Sequence, residues 1–273
     1  MKTRFLSMLL AFTMLCPIFS AYAEELSAES SAPAINAETA VLMDAASGNI
    51  LYEKNAHQKM YPASITKLMT ILLALEHGEL TDEITFSHDA VYSIEFGSAH
   101  IAIQEGETLT LEQVLRAIIL RSANEASNGV AEYVDGSTEA FTKHMTERAK
   151  ELGCKNTNFV TANGLHNENH YTTAYDMALI AQELLTLDTY RSMMSETYYE
   201  IPPTNKQEET RYLHGQHQML NEPSAYYYEH AIGGKTGFTS EALNTLVTYA
   251  EKDGMELIAV VMKCNAAEHY TDT

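Results

Sequence analysis

LNTLVTYAEKDGMELIAVVMK, residues 243–263, holds two runs of apolar and β-branched residues on either side of Asp253-Gly254. Asp-Gly between such runs is a strong hairpin signal, because a two-residue turn needs positive φ at both positions. A second hairpin is spelled near the other end of the chain. Residues 41–43 and 50–52 are strand material, joined through Ala46-Ser47-Gly48-Asn49. An isolated hairpin is marginal in water, so the two ends have to pair in one sheet. The residues between them are mostly helical and form an insertion. The expected fold class is therefore α/β: an antiparallel sheet made by both chain ends and flanked by helices, plus an inserted, mainly helical lobe. A cleft between sheet and lobe is a natural place for a site.

The insertion reads as a series of helices. Pro62 and Gly78 bracket an apolar run, residues 63–77, whose inner face carries Ile65, Leu68, Met69, Leu72 and Leu73. TLTLEQVLRAIILRSANEASNGVAEYV, residues 108–134, reads as a helix with apolar Leu111, Val114, Leu115 and Ile118, a break around Ser122, and a further helix. Ser137 is placed to cap an amphipathic helix reaching Leu152. TTAYDMALIAQELL, residues 172–185, is another helix. The intervening residues 79–106 read as short elements.

The N-terminus carries a separate message. Lys2 and Arg4 precede an apolar run over residues 5–19, and Ala21-Tyr22-Ala23 closes it with small residues at the positions a signal peptidase reads. Residues 1–23 are expected to be a secretory signal, cut after Ala23, and too short for a comfortable membrane span. Cys16 lacks the small preceding residues of a lipoprotein site. Residues 24–36 are small, polar and acidic, and are expected to form a flexible leader before a domain covering 37–273. Of the 17 basic residues, Lys2 and Arg4 leave with the signal; the other 15 face 37 acidic ones, a net charge of −22. Such acidity argues against nucleic acid as a partner and against basic patches docking on anionic lipid. Cys154 and Cys264 could pair in an exported protein, but two cysteines do not build a disulfide scaffold; they are expected to be buried small hydrophobes.

Three short stretches carry chemistry. Ser64-Ile65-Thr66-Lys67 places a hydroxyl and an amine nearly one helical turn apart. Ser122-Ala123-Asn124 falls in the helix break, and Lys235-Thr236-Gly237 lies on strand-like sequence before the C-terminal hairpin. Each has a bland reading when taken singly. Ser-x-x-Lys arises by chance roughly once in a chain this long and Lys-Thr-Gly roughly once in twenty such chains, so neither decides alone. Ser-x-Asn is weaker still, since Ser47-Gly48-Asn49 also spells it in a turn. Asn124 could simply cap the helix after it, and Lys235 could be one more exposed lysine. Their order, their structural contexts and the export signal together favour chemistry.

In these stretches the chain resembles the low-molecular-mass penicillin-binding proteins that act as D-alanyl-D-alanine carboxypeptidases, the S11 serine peptidases, with a β-lactamase/DD-peptidase-like fold. The likeness runs from about Ala40 to the end and includes LMDAASGNILYEKNA, PASITKLMT, NFVTANGL, HYTTAYDMALIA and GGKTGFT. It implies a serine-type carboxypeptidase that removes the terminal D-alanine from peptidoglycan stem peptides ending in D-Ala-D-Ala, without metal or cofactor, and that β-lactams acylate. Ser64 would be the nucleophile, and Lys67, held neutral well below its ordinary value near 10.4, its general base. Ser122 would relay a proton to the leaving amine. Asn124 would bind the substrate peptide and orient Lys67. Lys235 and Thr236 would receive the terminal carboxylate on a strand edge that Gly237 leaves clear. The backbone N–H groups of Ser64 and Phe238 would form the oxyanion hole.

The pattern departs from the family at two points. After Lys-Thr-Gly the family usually has an Ala-Gly pair, whereas this chain has Ala242-Leu243, which is expected to narrow the cleft or shift the strand. The chain also stops at HYTDT, before the final helix the family ordinarily carries, so membrane anchoring does not follow from the sequence. A serine β-lactamase would need a Glu-x-x-x-Asn loop between Ser122 and Lys235, and none is present. A DD-endopeptidase cutting peptide crosslinks shares all three motifs, and a catalytically weak peptidoglycan-binding protein is the alternative outside the enzymes. His166 with His170, and His214 with His217, have metal-like spacings but lie in loops without the His-Glu-x-x-His order, and read as loop polarity. Tyr226-Tyr227-Tyr228 reads as aromatic packing.

Overall fold

A computed structural model of the protein describes residues 32–273. The signal segment 1–23 and leader residues 24–31 lie outside the described residues. In chain order, β1 (Thr39–Asp44) and β2 (Ile50–Lys54) form the first hairpin, and a 3-10 turn, Ala63–Thr66, runs into α1 (Lys67–His77). β3 (Glu83–Thr85), α2 (His88–Tyr92) and β4 (Thr108–Thr110) follow. Then come the helices α3 (Leu111–Arg121), α4 (Asn124–Asp135), α5 (Thr138–Glu151), α6 (Ala174–Leu184) and α7 (Asp188–Met194). A small hairpin of β5 (Tyr198–Ile201) and β6 (Arg211–His214) leads to β7 (Ala231–Thr239), β8 (Leu243–Lys252), β9 (Met255–Cys264) and the short α8 (Glu268–Thr271).

The main sheet is five-stranded and antiparallel in the order β2-β1-β9-β8-β7. β1 pairs with β9, Val41 opposite Val260, so the two ends of the chain share one sheet as the marginal stability of lone hairpins requires. Asp253 (φ 53°) and Gly254 (φ 80°) supply the two positive φ values of the C-terminal turn. β7, which carries Lys235-Thr236-Gly237, is an edge strand of this sheet. Asp272 accepts the backbone N–H groups of Asn36 and Ala37 at 2.9 and 2.6 Å, and the compact unit reaches back to Ala34. Cys154 and Cys264 are free and buried. The two-stranded pairs β3–β4 and β5–β6 have strands of only three or four residues, too short for alternation to mark them in the sequence.

α1 packs against α3, α4, α5 and α6. The sequence reading gives it an inner face, but every residue from Lys67 to Ala74 is buried, so its first two turns have no outer one. Leu68, Met69, Ile71, Leu72 and Leu73 are almost wholly excluded from water, each burial favouring the fold by about 1.5–3 kcal/mol. That sum is what holds Lys67, at the head of the helix, in the interior. α3 starts with a reciprocal cap between Thr110 and Gln113 and ends at Ser122, whose φ of 58° breaks the helix. α4 then restarts at Asn124.

Candidate active site

The sequence puts Ser64 and Lys67 one turn apart, and the fold adds the partners. Lys67 Nζ lies 3.0 Å from Ser64 Oγ, 2.7 Å from Asn124 Oδ1 and 2.5 Å from the carbonyl oxygen of Asn163. Burial pushes the Lys67 amine well below its ordinary value; the nearby Lys235 pushes the same way and Glu125 opposes them. A neutral amine has two N–H bonds and one lone pair. Asn124 Oδ1 and the Asn163 carbonyl can only accept, so they take both N–H groups and the lone pair is left facing the Ser64 hydroxyl. Asn124 does not cap its helix: the N-cap is Ala123, and no side chain bonds there.

The second wall is β7. Lys235 Nζ donates to Ser122 Oγ at 3.0 Å and to the Thr236 carbonyl at 2.8 Å. Burial pushes its ammonium down to about 7. Gly237 does more than leave the edge clear. A Cβ at this position would lie 2.4 Å from Thr245 Oγ1 and 2.9 Å from Ser64 N, so only glycine lets the strand come this close to the nucleophile's backbone. Phe238 stands exposed beyond it. Between the walls is a cleft of about 510 Å³ whose lining includes Ser64, Ser122, Asn124, Thr236, Gly237 and Phe238. All eight site residues expected from the sequence thus meet at one place: six line the cleft, and Lys67 and Lys235 lie beneath it.

Sequence reasoning singled out NFVTANGL, residues 158–165, in the resemblance but gave Asn163 no role. Its carbonyl is a backbone group with no residue-type signature, and locally only the Asn163-Gly164 pair marks a turn there. Asn163 Nδ2 donates to Asn128 Oδ1 at 3.0 Å, and Asn128 Nδ2 donates to the Ala90 carbonyl and to Ser93 Oγ. Gly164 (φ 85°) packs so tightly on Ala63 that a Cβ would fall 2.0 Å from the Ala63 oxygen. His170 fastens the same segment. Its Nδ1 accepts the N–H groups of Val160 and Thr161, which leaves the proton on Nε2 to donate to Thr66 Oγ1 at 2.8 Å. Burial, with His166 and Lys67 nearby, pushes its ring down to about 3.

His170 and His217 are buried, so loop polarity does not account for either. His217 Nε2 lies 3.2 Å from Thr248 Oγ1, beneath the sheet. Leu243 has φ 56°, the left-handed region that glycine adopts freely, and it is not among the residues lining the cleft. The position therefore calls for glycine because of its backbone angle; the expected narrowing of the cleft is not what the leucine does. Of the three tyrosines expected to pack, Tyr226 stacks on Tyr270 at 5.1 Å, whereas Tyr227 and Tyr228 are exposed.

Comparison with known proteins agrees with this geometry. A family model described as D-alanyl-D-alanine carboxypeptidase, Peptidase S11, matches residues 26–266. The D-alanyl-D-alanine carboxypeptidase DacF of Bacillus subtilis is 36% identical over 266 residues, which cover 96% of this chain and 66% of that protein. The chain thus spans just under two thirds of that curated relative's length. Among solved structures, penicillin binding protein 5 from Haemophilus influenzae is 30% identical with a TM-score of 0.78, over 88% of this chain and 69% of that one. The Streptomyces K15 DD-transpeptidase is 26% identical with a TM-score of 0.81, over 88% and 95%. A match over most of the sequence, together with a shared fold, places the chain in the D-alanyl-D-alanine carboxypeptidase family, Peptidase S11.

Proposed function

We propose that this chain is a serine-type D-Ala-D-Ala carboxypeptidase that acts on peptidoglycan stem peptides outside the cytoplasm, through an acyl-enzyme on Ser64. The observation that carries the reading is the buried Lys67 amine, its two N–H groups taken by Asn124 and Asn163 and its lone pair left for Ser64. Lys67 takes the Ser64 proton as Oγ attacks the carbonyl between the two D-alanines. The negative charge that develops on that carbonyl is met by the N–H groups of Ser64 and Phe238. The C–N bond breaks as the proton that Lys67 took from Ser64 is relayed through Ser122 to the leaving amine, with Lys235 holding the Ser122 hydroxyl at 3.0 Å. Water then attacks the ester carbonyl, one of its protons passing through the Lys67 amine to Ser64 Oγ as the ester C–O bond breaks and the hydroxyl is restored. Before that, the substrate's terminal carboxylate has docked on Lys235 and Thr236, where a negative charge restores the ammonium that burial suppresses.

None of the residues lining the cleft is Asp or Glu, which supports a slow hydrolysis of any β-lactam ester. Intact-mass measurement after treatment with labelled penicillin should show one stable adduct, mapped to Ser64 and lost in Ser64→Ala. Absence of an adduct on folded protein would falsify the acylating enzyme. D-alanine release from a peptide ending in D-Ala-D-Ala separates the carboxypeptidase from a binding protein, and a crosslinked muropeptide as substrate separates it from an endopeptidase.

A further inference from the structure

The outer face of the β5–β6 hairpin has no part in the catalytic cleft. Tyr198 pairs with His214 and Glu200 with Tyr212, so these four side chains share one face. All four are exposed, Tyr198 at 44% and Tyr212 at 61%. The opposite face anchors the hairpin: Ile201 and Leu213 are buried, and the Arg116 guanidinium lies 4.5 Å over the Tyr199 ring. The outer side chains are held as well. Tyr198 Oη donates to Glu200 Oε1 at 2.5 Å, and the Tyr198 ring lies 5.0 Å from that of His214. The face leads to the cleft. Arg121, next to Ser122, donates to the His214 carbonyl at 3.3 Å, and Gln216, two residues past His214, lines the cleft. The Tyr198–His214 pair is therefore the nearer end, and Glu200–Tyr212 lies about 7 Å farther out. Neighbouring aromatic rings fixed in water beside a substrate cleft mark a contact surface.

We propose that this face is a saccharide platform, which holds uncharged N-acetylated amino sugars of the glycan strand bearing the stem peptide while the peptide's D-Ala-D-Ala end lies in the cleft; the inference rests on the function proposed above. A pyranose ring presents C–H bonds on its flat face and hydroxyl groups around its edge. Tyr198 and Tyr212 offer the matching flat apolar surface, each with a hydroxyl at its tip, and Glu200 accepts from sugar hydroxyls. A protein partner fits less well: a stable interface takes about 800 Å² from each side and an apolar centre, whereas this face has four side chains and no aliphatic one. The chain's formal charge of −20 repels an anionic polymer, so the strand it accepts is a neutral one. Continuity with the cleft says which neutral strand: the one that carries the cleft's own substrate.

The test uses one stem peptide ending in D-Ala-D-Ala in two forms, free and joined to a short oligosaccharide of N-acetylated amino sugars. D-alanine release by the full chain should favour the sugar-linked form in kcat/KM by about tenfold. Tyr198→Ser combined with Tyr212→Ser should bring that ratio close to one, with penicillin labelling of Ser64 confirming that the variant is folded. Both forms meet the same cleft, so any change there cancels in the ratio. The same oligosaccharide without peptide, titrated calorimetrically against Ser64→Ala, should bind, and should bind about tenfold more weakly once both tyrosines are also replaced. If penicillin labels Ser64 but neither form is cleaved, the carboxypeptidase reading fails, and this titration still decides the platform. Equal kcat/KM for the two forms, a preference that survives the double substitution, or no binding of the oligosaccharide overturns the proposal. Self-association of the chain that the double substitution abolishes, without any preference for the sugar-linked form, gives the face to a second copy instead and overturns it too.

Discussion

At the scale of single residues, the site turns on two lysines whose burial pushes their amines well below the ordinary value. Lys235 releases its proton at about 7 in the folded chain, against an ordinary value of 10.5, because burial disfavours the ammonium. Between those values the unfolded chain keeps a proton that the folded chain has already lost, so raising the pH across that window favours folding. Below about pH 7 both states are protonated and the folded state bears the cost of a buried charge. The unfolding free energy of the native chain, measured against Lys235→Met, should therefore climb between about pH 7 and 10.5, by up to about 1.4 kcal/mol per pH unit. Urea titrations at pH 7.0, 8.0 and 9.0 check this; a difference that stays flat contradicts a neutral, buried Lys235. Lys67 is displaced in the same direction for the same reason, with Lys235 adding to it.

At the scale of elements, the site sits where regular structure breaks. α3 ends in a left-handed serine, Ser122, and this break turns its hydroxyl to Lys235 rather than into the helix groove. The other break is at the start of β8, where Leu243 has φ 56°. A left-handed angle at a residue with a Cβ costs about 1–2 kcal/mol, and glycine loses about 0.5–1 kcal/mol through the freedom it gains when unfolded. Leu243→Gly should accordingly leave stability unchanged or raise it by up to about 1 kcal/mol. Thermal unfolding measures the outcome; a clear drop in Tm would mean that the half-buried leucine side chain contributes more than its backbone strain costs.

At the scale of the whole molecule, a buried clamp joins segments distant in sequence. Glu107, wholly buried beside β4, pairs with Arg211 of β6 through two hydrogen bonds of 2.6 and 2.9 Å. Arg211 also donates to the Ala102 carbonyl at 2.9 Å, and Thr204 Oγ1 donates to Glu107 at 2.7 Å. Burial raises the Glu107 carboxyl, but Arg211 and Thr204 outweigh it and hold the group below its ordinary value. Arg211→Met strands a buried carboxylate and should lower stability by about 3–5 kcal/mol in urea denaturation. Replacing both partners with Met should recover most of that loss. A single variant as stable as the native chain would show that the Arg211–Glu107 pair does not fasten the β5–β6 hairpin to the rest of the fold.

How much of this was legible in the sequence follows from what each feature is made of. The hairpin at Asp253-Gly254, the cap at Ser137 and the break at Ser122 are local, set by residues within one turn of each other, and they stood in the sequence. So did the pairing of the chain ends, because neither hairpin could stand alone. The eight site residues could be named for their side-chain chemistry. By itself, then, the sequence determined the sheet, the helical insertion and which residues come together at the candidate site. Only the tertiary structure decided that burial pushes the Lys67 amine well below its ordinary value, that a carbonyl 96 residues away lies against it, that Leu243 occupies a glycine's backbone angle, and that Glu125 keeps an unpaired oxygen beside the cleft. The reason is physical. Burial and the approach of backbone groups are sums over contacts between segments remote in sequence, and a carbonyl that every residue possesses leaves no mark in the order of side chains.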